Sequence, residues 1–377
     1  MAFTAADIQF MTLALQLAAK GRFTADPNPN VGAVIVRDDR VVGSGYHHQA
    51  GQGHAEVYAL AEAGDNARGA TCYVTLEPCS HFGRTPPCAE ALIAAGVSRV
   101  VIAMLDPNPL VAGKGAALLT QAGINVQTGL MQAEARAVNR GFLSAMERQR
   151  PWLRLKLAAS IDGRTALANG QSKWISSEQA RADVQQYRAQ SSAVLSTAST
   201  VLADNARLSV RQPDGGPTLT PLSDGQLRQP VRVILDRRRQ LTGNEPLFNL
   251  AGAILLCVTD NAPPLVMPSQ VQQLAVPLGV DGYFDLRALL YLLAEHQVRS
   301  IWVEAGATLA GALLQQQLVD EFILYRAPIL LGPQARAMAE LPELTALSQA
   351  YRFEFNDICQ VGTDIRLTAL LNKINTL

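Results

Sequence analysis

The pattern of hydrophobic and polar positions predicts alternating strands and helices in the first part of the chain. Four short apolar runs have the length and composition of strands: 31–37, 41–46, 72–76 and 97–104. Four segments have helical spacing: 54–63, 87–95, 115–122 and 134–147. Asp38 and Asp39 mark a turn between the first two strands. This alternation is typical of an α/β layer fold, in which helices pack on a sheet.

The first twenty residues predict an amphipathic helix rather than a secretory signal. Apolar residues recur at helical spacing, and Thr4 with Asp7 fits a capping box. Asp7 precedes the apolar run, no basic segment does, and Lys20 closes it. No run reaches the roughly 18 apolar residues of a membrane span.

A charged stretch at 147–150, followed by Pro151, predicts the boundary between two domains, 1–147 and 151–377. The second domain has five strand-like runs: 152–159, 231–236, 253–258, 300–304 and 321–330. The runs at 231–235 and 254–258 are nearly continuous in apolar residues, which is typical of strands buried on both faces. Residues 211–229, rich in Pro, Gly and Asp, predict a loop, and 352–367 predict a closing hairpin.

Length and composition agree with two globular domains. The 377 residues exceed the roughly 250–300 at which single hydrophobic cores stop growing. A formal net charge of zero argues against a polynucleotide substrate, because nucleic-acid binders usually carry a basic excess. The five cysteines, an odd number without secretory context, indicate thiols or metal ligands rather than disulfides.

One cluster of residue types indicates a zinc site. His54-Ala55-Glu56 is followed by Pro78-Cys79 and by Pro87-Cys88. An imidazole and two thiolates suit zinc and leave a fourth position for water, whose pKa zinc lowers enough for hydroxide to form near pH 7. Hydroxide can attack an amidine-like ring carbon, and Glu56 can carry the proton to the leaving ammonia. A His-x-Glu pattern followed by Pro-Cys is typical of zinc deaminases.

Two alternatives compete with this interpretation. Cys79 and Cys88 could be buried apolar thiols, which is how we interpret Cys72 at the start of a strand. Their position after proline, at expected helix starts or turns, instead favours thiolates. The usual signature has two residues between the cysteines, whereas eight stand here. The insert contains His81, a rival ligand that ranks lower because it has no partner equivalent to Glu56.

The insert carries a resemblance to a known family. The string from Thr75 to Cys88, TLEPCSHFGRTPPC, resembles the bifunctional deaminase/reductase family of riboflavin biosynthesis, which has this long spacing. Further matches cover nearly the whole chain in the same order: Asn28-Pro29-Asn30, Asp106-Pro107-Asn108, Asp162-Gly163-Arg164, Lys173-Trp174-Ile175, Asp204-Asn205 and Val303-Glu304-Ala305-Gly306.

The resemblance implies a fold and two activities. It implies an N-terminal cytidine-deaminase-like three-layer α/β domain and a C-terminal α/β domain similar to dihydrofolate reductase. The first would use zinc to deaminate 2,5-diamino-6-(5-phosphoribosylamino)pyrimidin-4-one. The second would use NADPH to reduce the ribosyl group of 5-amino-6-(5-phosphoribosylamino)uracil to ribityl.

The resemblance also implies the roles of individual residues. In the deaminase, Glu56 would be the proton shuttle, the zinc ligands would be His54, Cys79 and Cys88, and the substrate would contact Asn28, His47 and Arg84. A guanidinium such as Arg84 suits a phosphate. In the reductase, the substrate would contact Ser172, Arg188, Leu208, Arg211 and Glu304. The cofactor would contact Ala158, Trp174, Thr200, Asp204, Gly306, Ala307, Thr308, Leu309, Ala310, Gly311 and Ala312.

Three reductase positions have less definite roles. Lys156 and Asp162 lie in and just after the first strand of the second domain, where a polar group could protonate the sugar oxygen as hydride arrives. The family often has a small hydroxyl residue where Arg237 stands here, and an Arg near the ribose could favour the 2′-phosphate of NADPH.

Two other functions remain open from sequence. The chain could be a nucleic-acid or nucleoside deaminase with an unrelated C-terminal domain, against which the neutral charge counts. It could also be a structural zinc module joined to a nucleotide-binding module. We expect small phosphoribosylated pyrimidine substrates, neither nucleic acid nor a membrane as partner, a homo-oligomer formed through the reductase domain, and a cytoplasmic location.

Overall fold

The computed structural model describes residues 2–80, 87–108, 112–214, 216–260 and 266–371. The chain forms two compact units. The first contains Met1–Gln149 with Pro221–Gln226, and the second contains Arg150–Thr220 with Leu227–Leu377. Within the described residues, no helix combines the length and the hydropathy that crossing a membrane requires.

The first unit contains a five-stranded sheet in the order β2-β1-β3-β4-β5. Its strands are β1 (Gly32–Arg37), β2 (Arg40–Tyr46), β3 (Thr71–Val74), β4 (Arg99–Ile102) and β5 (Asn125–Thr128). Strand β1 is antiparallel to β2 and β3, whereas β3, β4 and β5 are parallel. Asp38 and Asp39 both have positive φ, which is the conformation of a tight hairpin turn whose twist matches the strands.

Six helices cover the two faces of this sheet in the described part of the unit. They are α1 (Ala5–Lys20), α2 (Ala55–Ala63), α3 (Cys88–Ala95), α4 (Lys114–Gln121), α5 (Gln132–Val138) and α6 (Arg140–Arg148). One apolar core includes Met11 and Leu143 from α1 and α6, and the other includes Ala59, Leu92 and Leu119 from α2, α3 and α4. The result is a three-layer α/β/α unit.

Two details of α1, α5 and α6 bear on the sequence predictions. The capping box at the start of α1 is present, because Thr4 and Asp7 exchange backbone-to-side-chain hydrogen bonds. The single helix predicted at 134–147 is wrong. The segment forms two helices that break at the buried Asn139, whose amide binds the backbone of Asn30.

The second unit is built on a nine-stranded sheet in the order β11-β10-β9-β8-β12-β6-β13-β16-β15. The strands are β6 (Trp152–Ser160), β8 (Ala193–Thr197), β9 (Val231–Leu235), β10 (Ile254–Val258), β11 (Val271–Ala275), β12 (Ser300–Glu304), β13 (Glu321–Ala327), β15 (Phe353–Val361) and β16 (Asp364–Leu371). The strands from β11 to β13 in this order are parallel, and β16 and β15 continue antiparallel. A separate pair joins β7 (Arg164–Ala166) to β14 (Arg336–Ala337).

Helices cover both faces of the large sheet. Helices α9 (Leu286–Glu295) and α10 (Ala307–Gln315) pack on one face, and α7 (Glu178–Gln190) and α8 (Ala198–Asp204) pack on the other. Short 3-10 helices complete the described elements at Gly21–Phe23, Gly64–Ala67, Pro246–Asn249 and Leu347–Gln349. Because the parallel strands all end at one edge of the sheet, that edge is where ligands bind in open α/β folds.

Candidate active sites

Three side chains of the first unit form a group with the composition of a zinc site. The Nδ1 atom of His54 lies 3.6 Å from Sγ of Cys79 and 3.3 Å from Sγ of Cys88. All three ligand atoms lie within 4.8 Å of one another. Tetrahedral zinc with Zn–S near 2.3 Å and Zn–N near 2.0 Å places neighbouring ligand atoms about 3.5 Å apart, so the three side chains fit the metal.

Secondary structure brings these ligands together. His54 is the N-cap of α2, and Cys88 is the first residue of α3. The backbone N–H of Cys88 donates to Sγ of Cys79 over 3.3 Å, and that of Ala89 donates to the Cys79 carbonyl. The thiol of Cys88 and then the ring of His54 lower the pKa of Cys79, which favours its thiolate form.

Glu56 lies in the first turn of α2, two residues after His54, and only 3 % of it is exposed. Its Oε2 atom is buried and accepts no hydrogen bond from the described residues. Burial raises the pKa of Glu56 to about 7, although the charge of His54 opposes this shift. A buried carboxyl group that exchanges its proton near neutral pH beside a metal site is suited to acid–base work.

Asn28 and His47, both predicted to contact the deaminase substrate, are bonded to each other next to the zinc ligands. Nδ2 of Asn28 lies 3.1 Å from Nε2 of His47, and Nδ1 of His47 lies 3.0 Å from the Gly53 carbonyl. Since an amide nitrogen only donates, Nε2 of His47 accepts and Nδ1 donates. The imidazole is therefore neutral, in agreement with burial, which lowers the pKa of His47. The rings of His47 and His54 meet edge to face with centroids 5.6 Å apart.

Two buried polar residues that the sequence analysis did not single out support this site. The carboxylate of Glu77 accepts backbone hydrogen bonds from Asp106, Gly113 and Ala116, at 3.1, 2.9 and 3.1 Å. It thereby fixes the segment that precedes Pro78 and Cys79. In the sequence, the only indication of this role is that Glu77 is a charged residue directly after the apolar run 72–76.

Asn139 fixes the loop that carries Asn28. Its Oδ1 accepts from the N–H of Asn30 over 2.7 Å, and its Nδ2 donates to the Asn30 carbonyl over 2.9 Å. The side chain is only 3 % exposed, so both bonds are shielded from water. No sequence pattern pointed to Asn139, because its partner lies 109 residues away.

Glu304 and Arg188, both predicted to contact the reductase substrate, form a bidentate ion pair in the second unit. Nε and Nη2 of Arg188 donate to Oε1 and Oε2 of Glu304 over 2.6 and 2.9 Å. Burial alone would raise the pKa of Glu304, but Arg188 and then Lys156 outweigh it, and the pKa is about 2. Glu304 is therefore a carboxylate at neutral pH, not a proton donor.

Lys156 and Asp162 have contrasting surroundings. Lys156 stands beside Glu304 in the register of β6 with β12, and burial lowers the pKa of its ammonium group. The Asp162 carboxylate accepts hydrogen bonds from the Ser160 hydroxyl and from the N–H groups of Leu331 and Gly332, at 2.5, 3.1 and 2.8 Å. These bonds tie the end of β6 to the segment after β13.

Other predicted reductase residues lie on or beside α7 and α8. Thr200 is in the first turn of α8 and Asp204 is its last residue, where the Asp204 carbonyl accepts from Nζ of Lys173 over 2.9 Å. Trp174 is 69 % exposed, and Arg181 lies 4.4 Å from its ring centroid. Ser172 and Ala158 are partly buried, and Leu208 is buried with positive φ. The pKa of Arg211 is lowered by partial burial and by the nearby charges of Arg188 and Arg207.

The predicted phosphate-binding run, residues 306–312, opens α10. Gly306 is the N-cap and is exposed, and nothing lies within 4 Å of where its Cβ would be. Leu309, Ala310 and Gly311 are buried, and a Cβ on Gly311 would meet the Glu340 carbonyl oxygen at 1.9 Å. The Ala310 N–H donates to the Gly306 carbonyl. The N-terminal turn of α10 is thus the part of this run that is open to an anion.

Arg84 and His81, the predicted phosphate contact and the rival metal ligand, lie outside the described residues. Ala307, Thr308 and Ala312 are not fully buried.

Comparisons with known proteins cover both units of the chain. Residues 4–104 match the cytidine and deoxycytidylate deaminase zinc-binding region, and residues 151–367 match the RibD C-terminal domain. Together with the group of His54, Cys79 and Cys88, these matches define a zinc-dependent deaminase joined to a reductase domain.

Full-length relatives give the family. The chain is 52 % identical to riboflavin biosynthesis protein RibD of Escherichia coli over 96 % of this chain and 98 % of that protein. It is 48 % identical to RibD of Haemophilus influenzae, over 97 % and 98 %. The structure of Acinetobacter baumannii RibD has a TM-score of 0.88 at 44 % identity and covers 98 % of this chain and 99 % of that one.

A fourth relative comes from Thermotoga maritima and is described as a diaminohydroxyphosphoribosylaminopyrimidine deaminase/5-amino-6-(5-phosphoribosylamino)uracil reductase. Its structure has a TM-score of 0.83 at 32 % identity, over 97 % and 99 % of the two chains. The chain belongs to the RibD family of riboflavin biosynthesis. It is a bifunctional enzyme, a zinc deaminase and an NADPH-dependent reductase, that acts on small pyrimidine substrates.

Proposed function

We propose that the group around His54 deaminates 2,5-diamino-6-(5-phosphoribosylamino)pyrimidin-4-one. We also propose that the group around Glu304 reduces the ribosyl part of 5-amino-6-(5-phosphoribosylamino)uracil. This assigns the two steps to residues 1–147 and 151–377. The observation that carries the first assignment is the buried Oε2 of Glu56, which has no partner among the described residues and stands beside the three ligand side chains.

His54, Cys79 and Cys88 would hold zinc, which when bound supplies the Lewis acidity that activates water near neutral pH. Oε2 of Glu56 takes the proton of the attacking water and delivers it to the departing amine nitrogen. Its pKa of about 7 suits both transfers. Asn28, whose amide is oriented by the neutral His47, turns its carbonyl oxygen to the pyrimidine. Arg84 would bind the sugar phosphate.

The N-terminal turn of α10 would bind the cofactor, which when present supplies hydride. The backbone N–H groups of Ala307, Thr308 and Leu309 follow the N-cap and precede the first N–H engaged within the helix, so they can donate to phosphate. Gly306 leaves room for that approach. The remaining proposed cofactor contacts are Ala158, Trp174, Thr200, Asp204, Ala310, Gly311 and Ala312.

The sugar phosphate would bind to Arg188 and Arg211, with Ser172, Leu208 and Glu304 completing the contact. Since Glu304 remains ionised, we assign the proton for the ribosyl oxygen to Nζ of Lys156, whose pKa is lowered by burial. Asp162 carries hydrogen bonds from three donors, which suits a residue that positions the neighbouring segment rather than one that transfers a proton.

Replacement of Glu56 tests the deaminase assignment. Glu56→Gln keeps the size of the side chain but cannot carry a proton, so ammonia release should fall by about 100-fold or more. Zinc content and NADPH oxidation with the deaminated substrate should stay unchanged. Ammonia, metal content and absorbance at the nicotinamide band provide the three measurements.

A matched control lies on the same helix. Glu62 is exposed on α2 and accepts hydrogen bonds from Ser44, so Glu62→Gln should leave both activities intact. Loss of both activities together in Glu56→Gln would contradict the assignment of two separate sites. Normal ammonia release would remove Glu56 from the reaction.

The remaining proposals concern partners and location. We propose a cytoplasmic enzyme that uses neither nucleic acid nor a membrane. We further propose a homo-oligomer formed through the reductase unit. Support for the oligomer comes from the terminal strand β15 and its neighbour β16, where Phe355, Ile358 and Ile365 are 59, 59 and 48 % exposed. Such an apolar sheet edge is typical of a surface that another chain covers.

A further inference from the structure

We propose that Trp302 is a positioning residue of the reductase. Its indole N–H holds the Glu304 carboxylate, and through it Arg188, in the orientation that receives the sugar phosphate. The inference rests on the proposed function, since it takes Glu304 and Arg188 as the residues that contact the substrate.

The indole of Trp302 is fully buried and directed at Glu304. Trp302 is 0 % exposed, and its Nε1 donates to Oε1 of Glu304 over 2.8 Å. The two residues are separated by one position on β12, so their side chains leave the same face of the sheet. The bond therefore connects a residue of the hydrophobic core directly to the proposed substrate site.

A second contact fixes the plane of the indole. The rings of Trp302 and Tyr187 are stacked, with centroids 4.9 Å apart and an interplanar angle of 10°. Tyr187 precedes Arg188 on α7, so two consecutive residues of α7 meet two alternate residues of β12. One contact is the ring stack and the other is the Arg188–Glu304 ion pair. The indole N–H links them and closes a four-residue ring of interactions.

These contacts leave part of the Arg188 guanidinium available to the substrate. Arg188 uses Nε and Nη2 for Glu304 and one Nη1 hydrogen for the Ser209 carbonyl, 2.9 Å away. A guanidinium has five N–H donors, so one hydrogen remains on each Nη atom. Two such donors match two oxygens of a phosphate. Their direction depends on Glu304, which in turn has Oε1 fixed by Trp302 and its backbone carbonyl fixed by the Ser196 hydroxyl, 2.6 Å away.

A similar indole–carboxylate bond lies elsewhere in the same sheet and serves as an internal comparison. Nε1 of Trp152 donates to Oε2 of Glu321 over 3.2 Å. These residues begin β6 and β13, whereas Glu304 ends β12, so this second bond lies at the opposite edge of the parallel strands. A purely structural role predicts similar consequences for both tryptophans, whereas a positioning role predicts a difference between them.

The comparison of Trp302→Phe with Trp152→Phe in the full-length enzyme tests the proposal. Trp302→Phe keeps an aromatic ring but loses the donor. A hydrogen bond to a charged group is typically strong enough to change affinity by about tenfold or more. We expect KM for 5-amino-6-(5-phosphoribosylamino)uracil and the Kd of ribose 5-phosphate to rise by about that factor, with a smaller change in kcat. KM for NADPH and ammonia release should stay unchanged, and Trp152→Phe should leave all of these values unchanged.

An NMR measurement on Trp302 itself tests the proposal even if Trp302→Phe fails to fold. The chain has three tryptophans, so Trp152→Phe and Trp174→Phe identify two of the ¹⁵N-indole resonances and leave the third for Trp302. Ribose 5-phosphate should shift the Trp302 resonance and leave that of Trp152 in place.

The outcomes separate this inference from the proposed function. If the unsubstituted enzyme binds ribose 5-phosphate but Trp302→Phe binds it equally well, the inference is overturned. An unmoved Trp302 resonance at saturating ligand overturns it as well. If Glu304→Gln and Arg188→Gln bind ribose 5-phosphate and the uracil substrate as tightly as the unsubstituted enzyme does, the proposed substrate site itself is wrong. The inference is then wrong as well.

Discussion

Arg237 follows β9 at the carboxyl edge of the parallel strands, and its guanidinium carbon lies 4.9 Å from the ring centroid of Tyr283. Within the described part of the chain, no carboxylate forms a salt bridge with it. In open α/β sheets dinucleotides bind at this edge. A guanidinium that is held by an aromatic ring and has no acidic partner is available to the 2′-phosphate that distinguishes NADPH from NADH.

We expect Arg237→Ser to weaken NADPH binding and to leave NADH binding nearly unchanged. Loss of one charge-assisted contact corresponds to about 1.5–3 kcal/mol, or about tenfold or more in affinity. Titration with 2′,5′-ADP and the ratio of KM values for the two cofactors measure the effect. Arg238 is the matched control, because it is the exposed neighbour in the same run of arginines. Equal losses in both variants would indicate general electrostatics instead.

At this scale, the sequence predicted the residues whose chemistry is visible in their spacing. His54, Glu56, Cys79 and Cys88 follow from a motif, and the structure brings their side chains together. Glu77, Asn139 and Trp302 did not follow from it. Each acts on a partner that no motif connects to it, and two of the three bind backbone groups, which every residue possesses. Sequence spacing therefore carries no trace of the contacts of Glu77 and Asn139, and it places Trp302 only on the same strand face as Glu304.

Among the elements, the start of α4 is joined to the residues that follow β3 by one buried carboxylate. Glu77 accepts three backbone N–H groups, two of which lie just before and at the first turns of α4. The charge is only 4 % exposed, and a negative group at a helix N-terminus is favourable. Glu77 lies two residues before Cys79, so loss of these hydrogen bonds would loosen a proposed zinc ligand.

Glu77→Gln should lower both zinc retention and the melting temperature. The side-chain amide of the glutamine would place its own N–H group against backbone N–H groups and leave donors without an acceptor. We expect this to lower the free energy of unfolding by about 2 kcal/mol or more. Zinc per chain after dialysis and thermal unfolding provide the measurements. Glu90→Gln, an exposed change in the first turn of α3, is the control. Full zinc occupancy and an unchanged melting temperature in Glu77→Gln would contradict this role.

Several elements escaped the sequence analysis for identifiable reasons. Strands β5 (NVQT) and β11 (VQQLA) lie at the edges of their sheets and carry few apolar residues. Strand β8 (AVLST) has only three apolar residues before two small hydroxyl residues, although it is largely buried in the centre of its sheet. By contrast, β9, β10 and β12 are apolar throughout or nearly so and were predicted within one residue.

The molecule as a whole contains two separate hydrophobic systems. The first sheet and the second sheet each have cores on both faces, and all three proposed zinc ligands belong to the first unit. Because binding stabilises only the folded unit that carries the ligand site, removal of zinc should affect the first unit alone.

Removal of the metal by a chelator should abolish ammonia release and spare the reductase. NADPH oxidation with 5-amino-6-(5-phosphoribosylamino)uracil should remain within about twofold of the untreated value, since no ligand of the metal lies in the second unit. Both activities measured before chelation, after it and after zinc is restored provide the test. A parallel loss of NADPH oxidation would show that the metal also supports the second unit.

The order of the strands in the large sheet could not be predicted from the sequence. The apolar runs predicted two α/β units, but β12 lies between β8 and β6, and β16 joins β13. These neighbours are far apart along the chain, and local patterns do not encode which of several buried strands becomes adjacent to another. The carboxyl edge on which Glu304, Thr197 and Ser160 meet could therefore not be assembled from spacing alone.

The hydrogen bonds of Asn139 bear on how this deaminase can be divided or transplanted. The match to the deaminase zinc-binding region ends at residue 104, yet the loop of Asn28 is fastened to Asn139, 35 residues beyond it. A catalytic module cut at residue 104 would keep every proposed zinc ligand and lose the residue that holds the loop of Asn28. The smallest fragment that could be transferred as a deaminase must therefore include the buried Asn139. We expect it to extend to the end of α6 at Arg148.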